Sequence, residues 1–143
     1  MINYYATEFI REGDNLGVFE RVLTLRKEAH THAFYAILFM REGSGLHVID
    51  QKSYDIVPGG VFFIDRSVPH ALEPFGKLKY TELILTPEFF GKDGEGENAL
   101  RRVFYTDSEY QPSVTLNQDE REALEAILHC TSRECERRAG DFR

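Results

Sequence analysis

The 143-residue chain is short of three things, and each shortage excludes a class of protein. Long hydrophobic runs are the first: the longest, "AFYAILFM" at 33–40, falls well below the roughly 20 apolar residues of a membrane-spanning helix. Basic charge is the second, with 17 Lys and Arg against 24 Asp and Glu and a net charge of −7. Nucleic-acid binders take most of their affinity from cations that neutralise phosphates, so this piece is not expected to grip DNA alone. Cysteine is the third. Cys130 and Cys135 both fall in a stretch of helical pattern, where they would stand roughly 7.5 Å apart along the axis, too far for a disulfide. A reducing, cytoplasmic setting follows, and the opening "MINYYATEFIREGDN" lacks the basic and apolar regions of a secretory signal.

What remains fits one domain with a real core, since 42% of residues are hydrophobic. Turn signals recur at short intervals: "EGSG" (42–45), "DQKS" (50–53), "PGG" (58–60), "DRS" (65–67) and "PFGK" (74–77). Between them lie "FYAILFM", "LHVI", "YDIV", "VFFI" and "KYTELIL", all rich in β-branched and aromatic residues. Short strands at such spacing indicate an all-β sandwich or barrel. "LGVFERVLTL" (16–25) reads as a further strand and "YYATEF" as another.

The pattern changes near residue 86. "TPEFF" has the form of a helix start, with Thr86 as N-cap and Pro87 at the first helical position. "GKDGEGE" (91–97) reads as a charged loop and "NALRRVFY" as a short helix. A longer helix is expected over 117–138, opened by Asn117 with Glu120 three residues on, a capping box. Leu124, Ile127, Leu128, Thr131 and Cys135 form its apolar stripe, and His129 lies off it. The chain ends at "GDFR" directly after this helix, with the look of a cut through a longer protein.

The chemistry-bearing stretch is "EAHTHAFYAILFMREGSGLHVID", 28–50. Read as one extended strand, it points His30, His32, Phe34, Ala36 and Leu38 to one side, and Thr31, Ala33, Tyr35, Ile37 and Phe39 to the other. Both sides are apolar from residue 33 onward. One is expected to line a barrel interior, and the other to lie under a second element or a partner chain. His47, between Leu46 and Val48, reads as solvent-facing. A second block, "YDIVPGGVFFIDRSVPHALE" (54–73), places His70 after a Pro-Gly turn and a buried strand.

Together the two blocks resemble the two motifs of the cupin barrel. With the following "LKYTELILTPEFF" they resemble more closely the N-terminal effector-binding and dimerisation domain of AraC-type transcription regulators. The resemblance covers about residues 20–90 well and is looser through the C-terminal helix. It implies a mainly β fold, a cupin-like double-stranded β-helix or jelly-roll barrel over 1–90, followed by C-terminal α-helices over 86–143. The stripe Leu124, Ile127, Leu128, Thr131 and Cys135 has two readings, docking on its own barrel or pairing with a second chain. The resemblance implies the second, a homodimer through helix 117–138, with DNA contact confined to a helix-turn-helix domain beyond residue 143. Two departures stand out. A metal-binding cupin carries a Glu four or five residues after its second histidine, where this chain has Ala36 and Ile37. The family's Pro-Gly-Asp is here Pro58-Gly59-Gly60.

A ligand cavity is mostly apolar with a few placed polar groups. Phe34, Leu38, Phe62 and Ile64 are candidate walls, and His30, His32, His70 and Glu82 are candidate polar contacts. The expected partner is a small-molecule effector. No cofactor is expected, and divalent metal in a purified sample would be adventitious; a functional metal, if any, would sit on His30, His32 and His70. No nucleophile-base pair, phosphate loop or spaced carboxylate pair points to catalysis. A free-standing cupin metalloenzyme, an oxygenase or isomerase, is the alternative, and a non-catalytic storage or sensor cupin is a third reading.

Overall fold

A computed structural model describes residues 1–11, 13–91, 94–106, 109, 110 and 112–141, with side chains outside 103–111 and 131–141. In chain order its strands are β1 (Ile2–Tyr4), β2 (Leu16–Leu23), β3 (Lys27–His32), β4 (Tyr35–Glu42), β5 (Gly45–Ile49) and β6 (Lys52–Ile56). Then come β7 (Gly60–Ile64), β8 (His70–Pro74) and β9 (Leu78–Leu85). Helix α1 (Glu95–Phe104), short strands β10 (Tyr105–Thr106), β11 (Glu109–Tyr110) and β12 (Ser113–Thr115), and helix α2 (Gln118–Asp141) follow.

Two five-stranded sheets face each other, in the spatial orders β1-β3-β8-β5-β6 and β12-β7-β4-β9-β2. Only the β1–β3 pairing is parallel among the pairings of these two sheets. This is the mainly β, cupin-like barrel expected, with helices after it.

The predicted single strand 28–40 is two strands. The chain turns at Ala33–Phe34 and passes from one sheet to the other. Because the corner takes two residues, the parity of facing survives it. His30, His32, Phe34, Ala36, Leu38 and Met40 are all buried, and the last four share the inner core with Ile49, Ile56, Phe62, Ile64 and Leu72. Tyr35 and Phe39 face outward, yet they are buried too, in a second core with Val61, Phe63, Leu85 and Leu128. That sheet is covered on both faces, which is why "FYAILFM" and "VFFI" show no polar alternation. The covering comes from the chain's own helices: Leu100 of α1 and Leu124 of α2 pack on this outer core.

Close approaches and tight turns account for the punctuation. The β5–β6 hairpin turns on Asp50 and Gln51, with φ of 49° and 72°, the left-handed pair that a two-residue hairpin needs. Gly45 lets β5 lie against β8, since a Cβ there would stand 2.3 Å from the Glu73 carbonyl oxygen.

Several local readings shift. "YYATEF" contributes only the end of β1 and then a 3-10 turn at Ala6–Glu8. Pro87–Phe90 is likewise a 3-10 turn, and the Thr86 hydroxyl donates to Asn15 Oδ1 at 3.0 Å instead of capping it. Helix α1 begins inside the expected loop, at Glu95, with Glu95 and Glu97 in its first turn and Arg101 and Arg102 in its last, the arrangement its dipole favours.

Helix α2 opens as expected. The Glu120 N–H donates to Asn117 Oδ1 at 2.9 Å, and the Asn117 N–H donates to Glu120 Oε1 at 3.0 Å. Its stripe divides: Leu124 and Leu128 dock on the sheet, whereas Ile127 is 61% exposed, so it is not part of the docked face. Thr131 and Cys135 lie outside the described side chains. Cys130 is an exposed free thiol and His129 is exposed.

Candidate functional site

Strand pairing brings the histidines together. His30 of β3 lies opposite His70 of β8, and β5 runs along the other side of β8 with Ile49 opposite His70. His30 and His70 ring centroids are 4.2 Å apart, His32 and His70 5.2 Å, and His30 and His32 6.3 Å. The fourth member is His47, and here the sequence reading is corrected. Far from facing solvent, His47 is completely buried, with its Nε2 2.9 Å from His70 Nδ1 and its ring edge-on to Phe62 at 4.5 Å. On β5 the odd positions Gly45, His47 and Ile49 face inward, and Leu46 and Val48 form a half-buried outer face. Flanking apolar residues mimicked a core phase that belongs to the other parity.

Hydrogen bonds fix which nitrogens carry protons. A carbonyl can only accept, so His30 donates through Nδ1–H to the Glu28 carbonyl at 2.9 Å. His32 donates through Nδ1–H to the Phe34 carbonyl at 2.6 Å. In the neutral rings each Nε2 is therefore a bare acceptor. Between His47 and His70 one proton is shared out, so His70 Nε2 acts as donor or acceptor according to which ring holds it. His32 Nε2, His70 Nε2 and His47 Nδ1 are buried without a hydrogen-bond partner among the described residues.

Burial keeps all four rings neutral near pH 7. It pushes His32 down to about 4 against the pull of its Phe34 bond, and His47 down to about 3. It holds His70 well below the ordinary histidine value and lowers His30 as well. Neutral imidazoles with bare Nε2 atoms are the right form for a metal ion, but a coordination shell is a stricter demand. No three His, Cys, Asp or Glu side chains among the described residues are set to hold a metal ion. The inward position that would supply a carboxylate is Ala36, packed in the core.

Of the expected wall residues, Phe34 stacks on His32 at 4.5 Å with planes 8° apart, and Phe62 meets His47. Leu38 and Ile64 lie in the same inner core. A model of the AraC-like ligand binding domain matches residues 13–141. The chain belongs to that family.

Among curated relatives of this AraC-like domain is the HTH-type transcriptional activator RhaR of Yersinia pseudotuberculosis, 37% identical over 59 residues, which are 41% of this chain and 20% of that protein. RhaR of Salmonella paratyphi B is 32% identical over 59 residues, 41% of this chain and 21% of that protein. The chain thus spans about a fifth of the length of the curated relatives it matches. Similar solved structures include a conserved protein of unknown function from Streptococcus pyogenes, with 22% identity, TM-score 0.49 and coverage of 52% of this chain and 68% of that one. A cupin superfamily protein from Desulfitobacterium hafniense has 16% identity, TM-score 0.48 and coverage of 51% and 69%. No helix among the described residues is long and apolar enough to cross a membrane.

Glu82 is turned inward on β9 of the AraC-like barrel, but it is already engaged. Arg21 Nε and Nη2 each reach its Oε1 at 3.0 Å. Lys27 stands nearby with its ammonium pKa lowered by burial, against the opposing pull of Glu82. Over these groups lies the N-terminal segment. Tyr4 packs edge-on to His30 at 5.4 Å, and Phe9 sits between Tyr4, Phe19 and Phe34 at 5.7, 6.4 and 5.9 Å. Tyr4, Phe9, Arg21 and Lys27 went unnoticed in the sequence. Their signal was weak, because β1 joins β3 in parallel across a separation of 28 residues (Ile2 with His30) that no local pattern records.

Proposed function

We propose that this domain is the sensing half of an AraC-type transcription regulator and that its effector is a small molecule bearing hydroxyl groups. The observation that carries the reading is the set of buried imidazole nitrogens. His32 Nε2 is a buried acceptor without a partner among the described residues, His70 Nε2 takes either role through its proton-sharing bond to His47, and His30 presents its Nε2 as an acceptor beside them. Hydroxyl groups both donate and accept, so a molecule carrying several of them matches all three positions, one hydroxyl proton to each bare nitrogen. An anion satisfies none of the bare acceptors. Phe34 and Phe62 supply apolar wall beside them, and Glu82 with Arg21 supplies polar contacts at the mouth.

Tyr4 and Phe9 pack over His30 and Phe34, so an effector reaching the rings from that side must displace or reorder residues 1–10. An effector shifts an equilibrium only through unequal affinity for its two states. The N-terminal segment offers such a pair of states. Its preference would pass to a DNA-binding domain outside this chain, in a cytoplasmic regulator that dimerises through α2 and catalyses no reaction.

Thermal-shift titrations with sugars, aromatic acids and urea-like compounds test the reading. A hydroxyl-rich compound should raise the melting temperature, and His32→Ala should abolish the shift. No shift from any compound, with no dimer at micromolar concentration, would overturn it. Elemental analysis divides it from the metalloenzyme alternative: stoichiometric metal, lost in both His30→Ala and His70→Ala, would favour the enzyme.

A further inference from the structure

We propose a second ligand site outside the barrel: the pocket between the 65–68 loop and helix α1 binds a small organic anion through Arg66, Ser67 and Arg101. The pocket measures about 470 Å³ and is lined by Ala33, Asp65, Arg66, Ser67, Val68 and Arg101. That volume lies within the range of small-molecule sites.

Both guanidinium groups are held by one aromatic ring. The Arg66 and Arg101 central carbons stand 5.4 and 5.6 Å from the centroid of the buried Tyr35 ring. Arg101 Nη2 also donates to the Tyr35 hydroxyl at 2.9 Å, and that hydroxyl donates to Glu97. Two carboxylates stand close by, Asp65 Oδ1 at 3.6 Å and Glu97 Oε2 at 4.0 Å from Arg101 Nη2, so the local formal charge sums to zero. Their placement decides the sign of the ligand. The Asp65 and Glu97 side chains are 12% and 18% exposed, against 38% for Arg101, and Arg66 is exposed. Asp65 lines the pocket as well, but its carboxylate and that of Glu97 are the more buried groups, and the two guanidinium groups are the more exposed charges. Arg66 has no ion pair with a carboxylate among the described residues, so its fork of donors is available for bidentate contact with an oxyanion.

The loop itself is constrained for the task. Ser67 has φ of 62°, a left-handed conformation that costs a non-glycine residue about 1 kcal/mol or more. It is held there by its N–H, which donates to the His32 carbonyl at 2.8 Å. Ala33 and Val68 add apolar surface, which suits a carboxylate or phosphate attached to a small apolar body. This pocket does not share its polar groups with the imidazole cluster, and it calls for the opposite ligand chemistry.

The test is an amide ¹H–¹⁵N titration of the intact domain with inorganic phosphate and, separately, with benzoate, each against sodium chloride at matched ionic strength. Saturable shifts at Ala33, Ser67 and Val68 are expected. Tighter binding of benzoate would identify an organic carboxylate, and tighter binding of phosphate a phosphorylated compound. Arg66→Gln, which breaks no ion pair, should weaken the better ligand about tenfold, as loss of a bidentate charge-assisted contact does. Arg26→Gln, on β3's approach and paired with Glu28, should leave it unchanged. Shifts that chloride reproduces, that fail to saturate, or that survive Arg66→Gln intact would overturn the proposal.

Discussion

Acid is the perturbation that tests the histidine cluster most directly, because four buried imidazoles share one interior and each must lose its neutrality to titrate. In the unfolded chain a histidine takes up a proton near its ordinary pKa of 6.5. In the folded chain burial delays that uptake until about 4 for His32 and about 3 for His47. These folded values are depressed, so the unfolded state binds more protons as pH falls below 6.5. The stability the two residues allow is complete above that pH and is lost on the way down towards 4 and 3. At about pH 5, protonating one unfolded histidine is worth about 2 kcal/mol, from 1.36 kcal/mol per unit. The folded forms regain little of this at that pH. His32 and His47 together therefore remove about 4 kcal/mol between about pH 7.5 and about pH 5. His70, held down by burial and by its imidazole neighbours, adds to the loss. Small domains have roughly 5–15 kcal/mol in all, so this is a large share. Carboxylates contribute little in the window, because their unfolded pKa values lie near 4. Urea unfolding at the two pH values and constant ionic strength measures the difference. His47→Gln should flatten it by about 2 kcal/mol, whatever it does to stability at neutral pH. A wild-type difference under about 1 kcal/mol, or an unchanged slope in the variant, would refute a buried neutral cluster.

Leu128→Ala should cost about 2–5 kcal/mol by chemical denaturation, because among the described side chains of α2 Leu128 is the buried one, docked with the partly buried Leu124 on the outer core. A cost below about 1 kcal/mol would mean that α2 rests elsewhere. Asn117→Ala should lose about 1 kcal/mol and raise amide exchange in the first turn of α2, since it removes one half of a reciprocal cap. Gly45→Ala should lower the melting temperature more than Gly76→Ala does, because a Cβ at 45 meets the Glu73 carbonyl at 2.3 Å and one at 76 meets nothing within 4 Å. The loss at 76 should come only from its φ of 92°.

Much of the barrel was legible because turn chemistry and side-chain type are local. The capping box of α2 needed only Asn117 and Glu120, and both of its hydrogen bonds are present. Facing along the histidine strand was legible even though the strand itself was misjudged. A two-residue corner at 33–34 moves the chain between sheets without changing parity, so His32 and Ala36 both reach the interior. The misplacement of His47 has the opposite cause. Leu46 and Val48 belong to an outer face that is half-buried, and an apolar outer face erases the alternation that would have fixed the phase. Nothing local could show the packing of Tyr4 on His30 and of Phe9 on Phe34, in a segment placed by a parallel pairing to β3.

His47 also explains how one fold can keep so polar an interior. A buried polar nitrogen without a partner costs roughly 1–3 kcal/mol, and among the described residues His32 Nε2, an acceptor, and His70 Nε2, a donor or acceptor by tautomer, are in that position. A leucine at either place would relieve the cost. What a leucine could not do is hold a ring in one orientation. Backbone carbonyls do so for His30 and His32, and the His47 ring does so for His70. On the proposed reading, three rings aimed by three fixed partners are preorganised for a hydroxyl-bearing effector, which would complete the orphaned nitrogens. If so, the cost should disappear on binding. Substituting His32 by leucine should then stabilise the free domain while abolishing the effector's thermal shift, a pairing of effects that a merely structural histidine would not produce.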